Sequence, residues 1–323
     1  MASPEREKVV VIGLAILLWY LSSAVANTTS RKFLTSVPVP LFLSLVQFSV
    51  ATLLLHIYLR VLKFQPYKEL PIFRPTKART TALRLAAVYT TGFIFVNAGY
   101  VIVNVSLAET LRSAEPLVSV VLAMIWLKHE KVTNLMLVSM VPIVVGGGLS
   151  SFGDSTFSPM GLLFVTISNL SFSLRSLLTK KLQEDYSGDA LNVFYHVSRI
   201  GLIYLVLINL GLEIMGVMLG LVHLRASACL DVLTFDLLQV LCINGFCYFL
   251  YNQMSFFVLS KVEMVTHAVA NAFRRVVTIL VSVWYFGNEI NTINAMGICL
   301  AISGVLLYSK SKDNIRKEQI VLG

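Results

Sequence analysis

Charge is what this 323-residue chain has least of: Asp, Glu, Lys and Arg make up 13% of it, against roughly 25% in a soluble domain. That excludes an ordinary water-soluble globule. Cysteine is scarce too. Cys229, Cys242, Cys247 and Cys299 include no Cys-x-x-Cys pair, which argues against a disulfide framework or a metal site and leaves them as small apolar packing residues. No catalytic dyad, metal-ligand cluster or Gly-rich phosphate loop stands out, so neither an enzyme nor a cofactor is expected. Long polar segments are also missing. The longest loop, about 63–80, carries Pro66, Pro71, Pro75 and five basic residues and reads as a solvated connector. No loop can form a separate binding module, so 1–323 reads as one domain.

Apolar sequence is abundant: 56% of the residues are hydrophobic and the mean hydropathy is +0.78. A membrane-spanning helix needs about 20 mostly apolar residues. Ten such stretches are present: 9–29, 38–62, 82–103, 105–127, 133–151, 157–179, 190–219, 232–257, 264–286 and 292–309. The fold class expected is an all-α membrane protein of ten transmembrane helices in a lipid bilayer.

The net charge of +9 does not point to nucleic acid, because the basic residues mark sidedness instead. With both termini in the cytosol, sixteen of the 26 Lys and Arg residues fall in cytosolic segments, and Arg31, Lys32 and Arg225 fall on the opposite side. That asymmetry is the positive-inside pattern and suits an even helix count. The N-terminus, MASPEREK, has two acids and leads straight into the first span. It does not read as an Arg/Ser-rich transit peptide, so a Golgi or ER membrane is expected ahead of the inner plastid envelope.

A faint repeat suggests two halves, about 9–151 and 157–309. A shift of 159 residues lays Glu130 on Glu289 and Thr133 on Thr292. Five helices is an odd number, so the second half would enter the membrane inverted. Inverted repeats of this kind build transporters with a site at the midplane.

The most informative residues are ionisable groups deep in spans, where a charge costs at least about 2.5–3.5 kcal/mol. Arg60 and Arg84 lie near helix ends and can snorkel. Five others cannot: Arg112, Arg175, Arg199, Arg274 and Arg275. Glu109 and Glu115 flank Arg112 at i−3 and i+3, on one helix face. The three form a self-neutralising cluster, or Arg112 points into a cavity. Pro116 should kink the helix there. Arg274 and Arg275 have no acid between Glu263 and Glu289. They point about 100° apart on a helix, so both line one cavity only if it is wide or the helix unwinds. On this reading an electropositive cavity would receive a dianion, and Arg275→Ala would abolish transport without unfolding the protein. Arg is suited to phosphate because its planar fork donates two parallel hydrogen bonds.

Tyr248, Tyr251, Asn252 and Gln253 are buried donors that serve either a site or helix packing. His196 and Arg199 line the cavity or pair near Glu213. His267 reads as a packing histidine. The sequons at Asn104 and Asn169 lie inside spans.

Four segments, VSLAETLRSAEP, SNLSFSLRSLLTKK, YNQ and THAVANAFRRVV, resemble the triose-phosphate/phosphate translocator family of the drug/metabolite transporter superfamily. The resemblance covers about residues 10–310. It implies ten helices as two inverted five-helix repeats, and an antiporter exchanging a phosphorylated small metabolite for inorganic phosphate across an organelle membrane. It also implies substrate binding by Arg112, Tyr251, Arg274 and Arg275, with Arg standing at 112 and 274 where the family has Lys. Phe93 and Val96 stand where plastid triose-phosphate carriers have His and Thr, which puts triose phosphate itself in doubt. Glu109, Arg175, His196 and Arg199 complete the candidate cavity lining. The alternative is a nucleotide-sugar antiporter of the endomembrane system. The sequence does not address oligomeric state.

Overall fold

The computed structural model describes residues 4–70, 76–112, 114–126, 134–153, 155–186, 189–219, 233–262, 264–287 and 291–322. Among them the chain forms helices and no strand: α1 (Pro4–Ser36), α2 (Pro40–His56), α3 (Lys77–Ile102), α4 (Val105–Arg112), α5 (Glu115–Trp126), α6 (Asn134–Gly153), α7 (Pro159–Asp185), α8 (Ala190–Leu219), α9 (Phe235–Lys261), α10 (Met264–Phe286) and α11 (Thr292–Leu322). A single π-helical turn, Ile57–Val61, continues α2. Every apolar stretch falls on one helix except 105–127, which is split into α4 and α5. Glu130 and Glu289, which carried the repeat signal, lie outside the described residues.

Local chemistry explains the helix boundaries. Pro40 and Pro159 open α2 and α7, where a missing N–H costs nothing. Thr76 and Thr234 cap α3 and α9 by accepting from the backbone N–H groups of Arg79 and Leu237. The split has a cause as well. Pro116 cannot donate to the Arg112 carbonyl, so the chain turns between Arg112 and Glu115. Two groups take up the Leu111 carbonyl at the end of α4: the Ala114 N–H at 3.3 Å and the Asn169 side chain at 3.2 Å. Asn169 is thus a buried helix-end ligand. Arg31 donates to the Tyr100 and Val101 carbonyls at the end of α3, a favourable place for a cation.

Among the described residues, five helical segments are long and apolar enough to cross a membrane: Val10–Ser36, Pro40–Val61, Lys77–Ile102, Pro159–Asp185 and Ala190–Leu219. Their outer faces are greasy. On α8, Ile203, Leu207, Leu210 and Ile214 form an exposed stripe at helical spacing, which water would not tolerate and lipid would. Cys242 and Cys299 are also exposed, so they face outward and are not core packing residues.

The closest helix pairing is α6 against α11. A Cβ on Gly146 would lie 2.4 Å from the Ala301 backbone nitrogen, and one on Gly297 would lie 2.3 Å from that of Ser150. Only glycine allows the two backbones to touch there. Elsewhere α3 packs on α7, α1 on α9 and α2 on α8, around an aromatic core. Phe93 sits at its centre, with ring centroids 4.8 Å from Tyr248, 4.9 Å from Tyr89 and 5.0 Å from Phe172.

Two polar layers tie the ends of the bundle. Near the α1–α2 connection, Asn97 donates to Ser44 and Gln47, Gln47 donates to Ser30 and Asn244, and Asn244 donates to the Ala26 carbonyl. Near the α7–α8 connection, the strap 64–70 is held by its backbone. The Tyr186 hydroxyl donates to the Lys68 carbonyl, the Asn192 amide donates to the Pro66 carbonyl and accepts from the Lys68 N–H, and His196 Nε2 lies 2.8 Å from the Lys68 carbonyl.

Gly297→Val should force α6 and α11 apart, since the obstacle is backbone and cannot rotate away. Overpacking of this kind typically costs about 1–3 kcal/mol. A clear fall in the thermal unfolding midpoint of detergent-purified protein is expected, whereas Gly211→Val, which meets nothing within 4 Å, should leave it nearly unchanged.

Candidate functional site

The α4–α5 break determines where the charges go. Arg112 ends α4 and Glu115 begins α5, so each sits at the helix terminus whose dipole favours it. Both face a small cavity of about 30 Å³ in the middle of the bundle. Trp19 and Asn27 of α1, Phe93 and Val96 of α3, Phe172 and Arg175 of α7, and Tyr251, Asn252 and Ser255 of α9 complete much of its wall. His267, Asn271 and Arg274 of α10 close it.

Two carboxylates organise the cations. Glu109, fully buried, takes Arg112 and the Tyr100 hydroxyl (2.6 Å) on Oε1. Its Oε2 takes Arg275 at 3.1 Å, with Arg274 Nη2 at 3.9 Å. Glu115 Oε2 takes Arg275 and the Asn271 amide. Asn271 Oδ1 in turn accepts from Arg274 Nε at 2.7 Å, and Arg274 also donates to Ser23. Arg175 donates to Ser255 Oγ at 2.9 Å and lies over the Phe256 ring at 4.7 Å. Ser255 contacts His267 Nε2 at 3.1 Å, and His267 stacks on Trp19.

The sequence candidates therefore separate. Arg112, Tyr251, Arg274, Arg175, Phe93 and Val96 are brought together in the cavity wall. Arg275 is fully buried behind the wall, clamped by both acids. α10 does not unwind, so the 100° between neighbouring positions sends Arg274 to the cavity and Arg275 to the carboxylates. The missing counter-charge for α10 is supplied by α4 and α5. Glu109 stands in the same hidden layer. His196 and Arg199 do not line the cavity: His196 bonds the strap at Lys68, and Arg199 lies over the Tyr195 ring at 5.6 Å. Their positions at the strap end of α8 explain this.

Several wall residues were not singled out from the sequence as site candidates. They are Trp19 and Asn27, which with Ser23 recur every four residues on α1, and His267 and Asn271, which precede Arg274 by seven and three residues on α10. A polar stripe at helical spacing on an apolar helix was the available signal.

The chain is similar to known proteins over nearly all its length. The profile of the Triose-phosphate Transporter family matches residues 10–309. The phosphoenolpyruvate/phosphate translocator 1, chloroplastic, of Arabidopsis thaliana is 32% identical over 312 residues, covering 96% of this chain and 74% of that protein. The triose phosphate/phosphate translocator, non-green plastid, chloroplastic, of Brassica oleracea var. botrytis is 31% identical, with 96% and 75% covered. The chloroplastic triose phosphate/phosphate translocator of Zea mays is 32% identical, with 98% and 74% covered. A solved crystal structure superposes with a TM-score of 0.60 at 14% identity, covering 94% of this chain and 97% of that one. That last likeness concerns the fold alone.

Removing Arg275 leaves Glu109 and Glu115 buried with a lost partner each, a kind of change that costs about 3–5 kcal/mol. Arg275→Ala should therefore lower the unfolding midpoint markedly, and Arg199→Ala much less. This replaces the expectation that Arg275 could be removed without loss of folding.

Proposed function

The chain belongs to the triose-phosphate transporter family, and from that membership we propose that it is an antiporter exchanging a phosphorylated C3-type metabolite for inorganic phosphate across an organelle membrane. The observation that carries this reading is the meeting of Arg112, Arg175 and Arg274, from three different helices, in one cavity inside an apolar bundle. A phosphate group docks on Arg112 and Arg274, which are suited to its oxygens. Tyr251, whose ring lies 5.9 Å from the Arg274 guanidinium carbon, donates a further hydrogen bond. Arg275 supports both from behind by fixing the two acids.

The reading also covers coupling. Four guanidinium groups, Arg112, Arg175, Arg274 and Arg275, stand against two carboxylates, Glu109 and Glu115. The acids temper the cation–cation repulsion expected from sequence but leave two positive charges unmatched in a site of low dielectric. A bound dianion offsets them, so the loaded carrier crosses more readily than the empty one.

Two inverted halves, about 9–151 and 157–309, fit the helix pairing. The packing of α3 on α7 has its counterpart in α9 on α1, and α2 on α3 in α8 on α9. Alternating access would then part the amide layer at one end of the bundle and the strap contacts at the other. The relatives are plastid proteins by name, which does not favour the Golgi or ER membrane expected from the N-terminus. A nucleotide-sugar antiporter would use the same cations but has no separate observation in its favour.

Purified protein in liposomes should take up labelled phosphate only when phosphate or a phosphorylated C3 compound is inside. Equal uptake into empty vesicles would refute the coupling, and inhibition by nucleotides alone would favour the nucleotide-sugar reading. Arg274→Gln should reduce exchange by at least about tenfold, the loss of one charge-assisted hydrogen bond or more. Arg199→Gln, outside the cavity, should retain it.

A further inference from the structure

We propose that Asn252 and His267 form a hydroxyl-binding pair in the cavity wall, which recognises the organic part of the solute while the arginines hold its phosphate. This rests on the antiport reading above.

Four polar side-chain atoms of the wall are buried without a hydrogen-bond partner among the described residues: Arg112 Nε, Arg175 Nε, Asn252 Oδ1 and His267 Nδ1. Buried polar atoms are normally satisfied, so these four mark what the wall is built to receive. The two arginine nitrogens suit an anion. Asn252 Oδ1 does not. It is an acceptor, and a phosphate monoester above its second pKa, about 6, has no proton left to give it. The matching donor has to come from the organic part.

The hydrogen bonds already made fix the role of each atom. Asn252 Nδ2 donates to the Tyr248 carbonyl at 2.9 Å. Only the nitrogen end of the amide can do so, which leaves Oδ1 as the acceptor. Ser255 Oγ accepts from Arg175 at 2.9 Å and lies 3.1 Å from His267 Nε2. The serine proton goes to Nε2, so the ring's own proton sits on Nδ1. A doubly protonated ring would carry the Nδ1 proton as well. His267 therefore presents a donor.

Both side chains are held in place and lie close together. Asn252 and Ser255 share one face of α9 at i and i+3, and Ser255 bonds His267. The His267 ring stacks on Trp19 with 5.0 Å between centroids. A hydroxyl both donates and accepts, so it can satisfy the two residues together. A carbonyl oxygen can satisfy only His267, and an alkyl group neither. Phe93 and Val96 of α3, in the same wall, offer no hydrogen bond from their side chains, so polar recognition falls to α9 and α10.

Glycerol 3-phosphate and n-propyl phosphate test this. They have the same carbon count and are both dianions at pH 8, but only the first carries hydroxyls. The measurement is the ratio of their half-inhibitory concentrations against phosphate self-exchange in liposomes, read on one protein so that changes in overall rate cancel. The wild type should prefer glycerol 3-phosphate by about tenfold or more, because the alkyl ester leaves buried polar groups unpaired. Asn252→Leu should reduce that preference by at least about fivefold. Two amides at 267 separate a donor from a prop. In His267→Asn the amide nitrogen takes the place of Nδ1. In His267→Gln the amide takes the place of Nε2, where it still meets Ser255. His267→Asn should keep most of the preference and His267→Gln should lose it. The reverse order would mean that the ring only supports Ser255 and Arg175, and would overturn the proposal. Equal effects of the two variants, or a wild-type ratio near one, would overturn it too. If the variants cannot be purified folded, the wild-type ratio decides alone. Absence of any phosphate self-exchange would instead sink the antiport reading, which keeps the two failures distinct.

Discussion

The structure depends on two carboxylates shared among buried guanidinium groups from different helices. Charges buried in an apolar bundle are tolerated only when paired and hydrogen-bonded. Glu109 and Glu115 meet that requirement for both terminal nitrogens of Arg275 and for Arg112 and Arg274 in part. The partial pairing matters for function. Full neutralisation would leave no reason for an anion to enter, and no acid at all would make the empty bundle hard to assemble. Because α4 and α5 supply the carboxylates that hold Arg274 and Arg275 of α10, the same contacts that stabilise the fold also position the candidate site.

Backbone geometry makes this sharing possible. A continuous helix through 105–127 would place Arg112 and Glu115 on one ridge, tied to each other. The break before Pro116 instead gives each its own helix terminus, and Asn169 satisfies a carbonyl that the break exposes. Irregular backbone at membrane depth is found where it is enclosed by protein or lines a cavity, and here it does both. The aromatic cluster around Phe93 supplies the apolar side of the same cavity. It presents planar apolar surface beside the cations.

Part of this was legible from residue order. The ten apolar stretches and the kink at Pro116 follow from hydropathy and proline chemistry, and the cost of charge in lipid singles out Arg112 and Arg274; that Tyr251 joins them was implied by the family resemblance alone. The division of labour between Arg274 and Arg275 was not legible. Adjacent residues on one helix have the same local sequence signature, and their partners lie about 160 positions away on α4 and α5. His196 and Arg199 stayed open for a similar reason. Near a helix end, a polar pair at i and i+3 serves a strap as well as a cavity, and the strap is recognised only once 64–70 is seen lying against α8. Trp19, Ser23 and Asn27 showed a four-residue spacing, but none is ionisable, so burial of charge gave no warning.

The most direct measurement is a structure of the unmodified protein with tungstate, a heavy tetrahedral dianion, added at a concentration that blocks phosphate exchange. One anion is predicted within hydrogen-bond distance of Arg112 and Arg274, with Arg275 still held by Glu109 and Glu115. An empty cavity, with tungstate bound only at surface lysines, would contradict the account.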